Sequence, residues 1–186
     1  MSGDVTEYLS PSRAGLIARY TINVWSPEMV GPELIALGIP TVGNTAPGAN
    51  LITLFPFVIP SPFSVSQFFW VNGSTVNGDS YIGVYGESGS LLVSSGAILN
   101  SGASVKQVVD ITDYALAPGK RYWLALGTSS ASHQYQRLPI AAPLADYIGI
   151  KTMASGISGG ALVSSVAFAV GGNNCFMCGM TGASVM

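Results

Sequence analysis

From Ala49 onward, short apolar runs recur at intervals of roughly ten residues, each closed by glycine, proline or asparagine, and this punctuation points to an all-β chain. Helical periodicity is scarce, whereas period-two patterning is common. Leu51 to Ile59 is apolar on both faces, as in a strand covered on two sides. Pro60-Ser61-Pro62 turns the chain into an aromatic-rich strand, Phe63 to Val71. Asn72-Gly73 and Asn77-Gly78-Asp79 bracket a turn, since Asn and Gly tolerate positive φ. Further strands are expected over Tyr81 to Tyr85, Leu91 to Leu99, Val105 to Ile111 and Arg121 to Gly127. Leu162, Val166, Phe168 and Val170 suggest another late strand sharing one face.

An eight-stranded antiparallel β-sandwich of jelly-roll type accommodates these segments. The clearest seam, Gly43 to Gly48, separates an N-terminal arm (1–48) from a sandwich domain (49–186). A weaker seam lies around Ser129 to Ala145. Within the arm, Leu16 to Trp25 alternates like a half-buried strand. Ser26-Pro27-Glu28 then resembles a helix start that Pro32 cuts short.

Charge is the second constraint. Charged residues make up 9% of the 186 residues and apolar ones 48%, against roughly 25% charged in an ordinary soluble domain. No Asp, Glu, Lys or Arg occurs from Leu34 to Gly78 or from Thr152 to Met186. Such a surface suits a subunit packed among others, so a homo-oligomer is expected. Prolines interrupt the first stretch and glycines the second, so neither reads as a membrane span. Met1-Ser2-Gly3-Asp4 lacks the basic and apolar regions of a secretory signal, and synthesis in a cytosol is expected. Net charge is −2 and the seven basic residues are scattered, which argues against nucleic-acid binding.

The sequence offers little catalytic equipment. The single histidine, His133, follows Ser129-Ser130-Ala131-Ser132 and reads as a solvent-exposed loop residue. No serine lies in a Gly-x-Ser-x-Gly elbow that could pair with it. Cys175 and Cys178 form one Cys-x-x-Cys; with a single histidine they cannot complete a four-ligand zinc site. Phe176, Met177 and Met180 around them indicate a buried strand carrying two small thiols. Asp110-Ile111-Thr112-Asp113 reads as a strand end followed by a capped turn. The dispersed carboxylates favour neither a glycosidase pair nor a calcium loop, and no phosphate-binding glycine motif is present. A non-enzyme without cofactor or metal is therefore expected.

Aromatic residues supply the alternative. Trp25, Trp70 and Trp123 could stack on sugar rings, although core or subunit-interface packing accounts for them more simply. Tyr122, Leu124 and Leu126 take one face of their strand, so Trp123 points the other way with Arg121 and Ala125. Trp123, Arg121 and Tyr135 are accordingly the candidate surface contacts. Trp70 shares a face with Phe68 and is expected to be covered.

Three segments carry a resemblance to a known group. They are Phe57-Val58-Ile59-Pro60, Tyr81-Ile82-Gly83-Val84-Tyr85, and Leu116-Ala117-Pro118-Gly119-Lys120-Arg121-Tyr122-Trp123-Leu124-Ala125-Leu126. Asn50 to Ser129 thereby resembles β-sandwich modules in virion proteins of tailed bacteriophages. The resemblance implies a capsid-decoration, tail or fibre protein that contacts other virion proteins, and related jelly rolls bind carbohydrate. It carries no active-site residue across. The expected role is thus a non-enzymatic virion component, made in the host cytoplasm. The alternatives are a carbohydrate-binding receptor-recognition module for a host-surface glycan and, third, an esterase or glycosidase using His133 or Asp113.

Overall fold

In the computed structural model of the chain, residues 43–59, 61–139, 149–168 and 174–184 are described. The expected Leu16–Trp25 strand, the Ser26-Pro27 helix start and most of the 1–48 arm lie outside them. Among the described residues every regular element is a strand, and every pair of strands is antiparallel.

The largest sheet is built on β2 (Ile52–Val58), β4 (Asp79–Gly86) and β8 (Arg121–Thr128). Edge strands β5 (Leu91–Ser94) and β10 (Lys151–Met153) complete the order β10-β2-β8-β4-β5, and β6 (Ile98–Leu99) also pairs with β4. A facing sheet has the order β14-β3-β7, from β3 (Phe63–Val71), β7 (Lys106–Leu116) and β14 (Cys178–Ser184). A third, smaller sheet holds β1 (Gly43–Thr45), β9 (Tyr135–Pro139) and β13 (Asn174–Phe176) in the order β1-β9-β13. The hairpin β11 (Ile157–Ser158) and β12 (Ala161–Leu162) stands apart.

The third sheet is continuous with the second through Met177. Its N–H donates to the Gln136 carbonyl and its carbonyl accepts from Val71 N–H, both at 2.9 Å. The chain therefore passes from pairing with β9 to pairing with β3 without a turn.

Alternation of side chains sends Phe55, Phe57, Ile82, Val84, Tyr122, Leu124 and Leu126 inward from the large sheet. They meet Val65, Phe68, Trp70, Met180 and Phe176 from the other two, all buried in one core. Each such large side chain contributes about 1.5–3 kcal/mol when fully buried. The arrangement is that of a β-sandwich.

The large sheet is covered on its outer face too. Ile52, Leu54, Tyr85, Trp123 and Ala125 form a second buried cluster with Ile157, Leu162 and Val166. The segment that supplies this cover is tied down by its backbone. Leu91 N–H donates to the Ser164 carbonyl and Val166 N–H to the Gly89 carbonyl, each at 2.9 Å. Tyr85 adds its hydroxyl, donating to the Val163 carbonyl at 2.8 Å, and burial pushes that phenol up to about 12. A Cβ on Gly83 would lie 2.7 Å from the Val93 carbonyl oxygen and 2.8 Å from Leu162, so only glycine lets this cover sit down. The expectation that Leu51 to Ile59 is covered on two sides holds at Ile52 and Leu54, whereas Val58 at the far end is 44% exposed.

Three expected elements differ. Leu91 to Leu99 is broken into β5 and β6, because the chain leaves the sheet at Gly96 and Ala97, after Ser95 N–H has donated to the Ile82 carbonyl. Among the described residues 163–168 no strand continues beyond Leu162; Ser165 makes one bridge to Ser90, and Val166 and Phe168 fold over the large sheet instead, while Val170 lies outside the described residues. Asp110 to Asp113 does not end a strand, since β7 runs on to Leu116. Val65 pairs with Tyr114 and Gln67 with Asp110, so Ile111, Thr112 and Asp113 bulge opposite Ser66.

Candidate functional site

Among the described residues, polar and titratable side chains gather in a sealed cluster around His133 and in an open groove beside Arg121.

The sealed cluster lies where the Asn72–Asp79 connection meets the loop before β9. Gly73 N–H donates to the Gln134 carbonyl at 2.6 Å, and Gln134 N–H to the Thr75 carbonyl at 2.9 Å. Asn77 N–H donates to His133 Nδ1 at 3.3 Å, so the neutral ring carries its hydrogen on Nε2. Among the described residues that buried Nε2 has no hydrogen-bond partner. His133 is fully buried, and burial lowers its pKa to about 4. This corrects its reading as an exposed loop residue. The serines around it do not face water alone: Ser130 Oγ accepts from His133 N–H, and Ser132 Oγ accepts from the Asn77 side chain. With Nδ1 engaged and Nε2 protonated, the imidazole has no free lone pair with which to activate a nucleophile.

Tyr135 stacks edge-on against His133 and is itself fully buried. Its hydroxyl donates to the Gly127 carbonyl at 2.8 Å and contacts Ser80 Oγ, which also reaches Asn100 Oδ1 at 2.6 Å. Burial raises the Tyr135 phenol well above its ordinary value. Nearby, Asn72 takes a bond from Trp70 Nε1 at 2.9 Å and donates to the carbonyls of Ser101 and Gly102. These buried polar groups tie the loops at one end of the sandwich together.

The groove lies at the β4–β5 turn and the β7–β8 turn. Glu87, Ser88, Ser90, Tyr114, Lys120, Arg121 and Tyr122 line a volume of about 660 Å³. Ala117 and Lys120 line one side and flank the Pro118-Gly119 turn; Gly119 has a φ of +73°, as a type II turn demands at its third position. Tyr122 fixes that turn, accepting from Ala117 N–H at 2.9 Å and donating to the Ala117 carbonyl at 3.0 Å. Gly119 N–H donates to the Ile59 carbonyl at 2.8 Å. The opposite wall is held by Gly86 N–H on the Ser90 carbonyl and by the Ser88–Ser90 hydroxyl pair, both at 2.9 Å.

Of the three candidate surface contacts, only Arg121 is exposed, and it lines the groove. Trp123 does point away from Tyr122, Leu124 and Leu126, but it is 7% exposed. The segment after β12 covers it, with the Phe168 ring centroid 4.5 Å away. Tyr135 lies in the core. Trp123 and Tyr135 are thus corrected from surface to interior. Trp70 is buried as expected, and so are Cys175 and Cys178. Burial raises both thiols, which leaves them protonated and unreactive. Asp110 accepts from the Gln67 amide at 2.6 Å on the sheet surface. Among the described residues no three His, Cys, Asp or Glu groups converge for a metal, and no helix is long and apolar enough to cross a membrane.

The sequence reading missed Tyr114, Glu87 and Lys120 as groove residues. The one available signal was the pair of turns, Gly86-Glu87-Ser88-Gly89 and Pro118-Gly119-Lys120, whose adjacency only the β4–β8 pairing establishes. No protein-family profile matches the chain, and no curated protein matches it.

Proposed function

We propose that the chain is a non-catalytic structural component of a bacteriophage particle, a capsid-decoration, tail or fibre protein that works by contact with its own copies and other particle proteins. The observation that carries the contact role is the unpaired edge of β7 in the facing sheet, where Val108 is exposed among Lys106, Asp110, Thr112 and Asp113, together with apolar side chains exposed just before it. Among the described residues β7 pairs on one side alone, with β3. Leu99, Val105 and Val108, which lead into this strand and begin it, are 71%, 51% and 47% exposed. An unpaired edge beside exposed apolar side chains favours association. Scarce surface charge acts in the same direction, because little repulsion opposes it.

The strand pairing supports a jelly-roll topology. β2 pairs with β8 while β3 pairs with β7, so two consecutive strands on each side run as a double ribbon across the two sheets. The particle assignment itself rests on the resemblance of Asn50 to Ser129 to phage virion modules. Its test is imaging of particles carrying a tag on this chain. Ordered, stoichiometric density on capsid, tail or fibre supports the assignment; a tag found free in the lysate and absent from purified particles overturns it.

A further inference from the structure

We infer that the groove between the β4–β5 and β7–β8 turns is a binding site for an acidic sugar, a carbohydrate bearing a carboxylate at low charge density. The inference goes beyond the contact role and does not depend on a phage origin.

Charge is scarce in this chain: seven basic and nine acidic residues among 186. Yet Lys120, Arg121 and Glu87 converge on one concavity of about 660 Å³, a size that suits a small ligand. With Glu87 ionised the groove carries one net positive charge, which selects for an anion. Arg121 is exposed and offers the planar fork that matches a carboxylate through two parallel hydrogen bonds. Lys120 adds a mobile point charge beside it. Tyr114, half-buried, presents an aromatic surface for the apolar face of a sugar ring. Ser88, Ser90 and Glu87 supply donors and acceptors for ring hydroxyls.

Competing ligand classes leave part of this set unused or opposed. An apolar ligand would strip water from three charges without replacing it. A bare phosphate would engage Arg121, Lys120 and the serines but leave Tyr114 and the apolar lining idle. Nucleic acid and heavily sulfated glycans need a run of cations, and the groove offers two, Lys120 and Arg121. A single carboxylate on a hydroxyl-rich ring engages Arg121, Lys120 and the serines, and leaves the apolar lining of Leu92, Ala115, Leu116 and Ala117 to the C–H face of the sugar.

The walls are also set before any ligand arrives. Tyr122 is locked to both polar atoms of the Ala117 backbone, and Ser88 and Ser90 are locked to each other. The backbone walls are thus fixed, and ordering on binding falls on the exposed side chains of Glu87, Lys120 and Arg121.

The test is to apply the full chain to an array of oligosaccharides ending in glucuronate or sialate, with neutral glucose- and galactose-ended counterparts and a heparin octasaccharide. The strongest ligand is then titrated calorimetrically against the unaltered chain, Arg121→Ala, Arg121→Lys and Tyr114→Ala. Selective binding of the carboxylated sugars is expected. Arg121→Ala should weaken it by roughly tenfold or more, with Arg121→Lys intermediate, because the fork and not charge alone fixes the carboxylate. Unchanged thermal unfolding of the variants shows that the loss is local. Absence of binding to every carboxylated sugar overturns the inference. So does equal binding of neutral counterparts, heparin as the strongest ligand, or affinity unaltered by Arg121→Ala.

Discussion

The ring of His133 stands edge-on to the ring of Tyr135, centroids 4.5 Å apart and planes at 80°. This contact buries the chain's one histidine between two loops and makes its ionisation a matter of folding. Burial lowers the His133 pKa from 6.5 to about 4. In the window between those values the unfolded chain binds the proton more readily than the folded one. The histidine's contribution is therefore present above the upper value and lost progressively as pH falls toward the lower. Urea midpoints should fall between about pH 7 and pH 4.5, and His133→Gln should flatten that dependence. Equal pH slopes for the two proteins would show that His133 is not buried in its neutral form.

Asn72 joins three segments through one side chain. Asn72→Ala would leave Trp70 Nε1 without its acceptor and free the carbonyls of Ser101 and Gly102. Destabilisation of about 2–3 kcal/mol is expected from chemical denaturation, since these groups lie in or near the core. A loss below about 0.5 kcal/mol would mean that the hub is replaceable by water.

Trp123 should behave as a core residue. Trp123→Ala is expected to cost about 3–5 kcal/mol of stability. Sugar affinity, measured below the unfolding transition, should change far less than in Arg121→Ala. A stable Trp123→Ala chain with selectively abolished sugar binding would restore the ring to the surface.

Gly83→Ala tests the cover over the outer face. The added methyl meets the Val93 carbonyl and Leu162, and about 1–3 kcal/mol of destabilisation is expected. Amide exchange should rise at Leu91 and Val166, whose N–H groups hold the cover to the β4–β5 turn. Unaltered exchange at both would show that the cover does not depend on this close approach.

These residues also show what was legible in the sequence. The β class was written in period-two runs and turn residues, and β2 announced its two covered faces by being apolar on both. Trp123 was assigned to the correct side of β8. Its burial was not foreseeable, because Ile157, Leu162 and Val166 cover it from short, glycine-interrupted pieces with no strand periodicity of their own. His133 and Tyr135 were misread for a related reason. A serine-rich run looks solvated until its hydroxyls are seen bonding to loop backbone and side-chain amides. The groove required knowing that β4 lies beside β8, a long-range pairing that local patterns do not encode.

The proposed mode of action is association with other subunits through a weakly charged surface that carries exposed apolar side chains. Sedimentation velocity of the full chain across micromolar concentrations tests it most directly. Concentration-dependent oligomers are predicted, with Val105→Lys combined with Val108→Lys shifting them toward monomer. A single monomeric species over the whole range, unchanged by those two substitutions, would contradict the account.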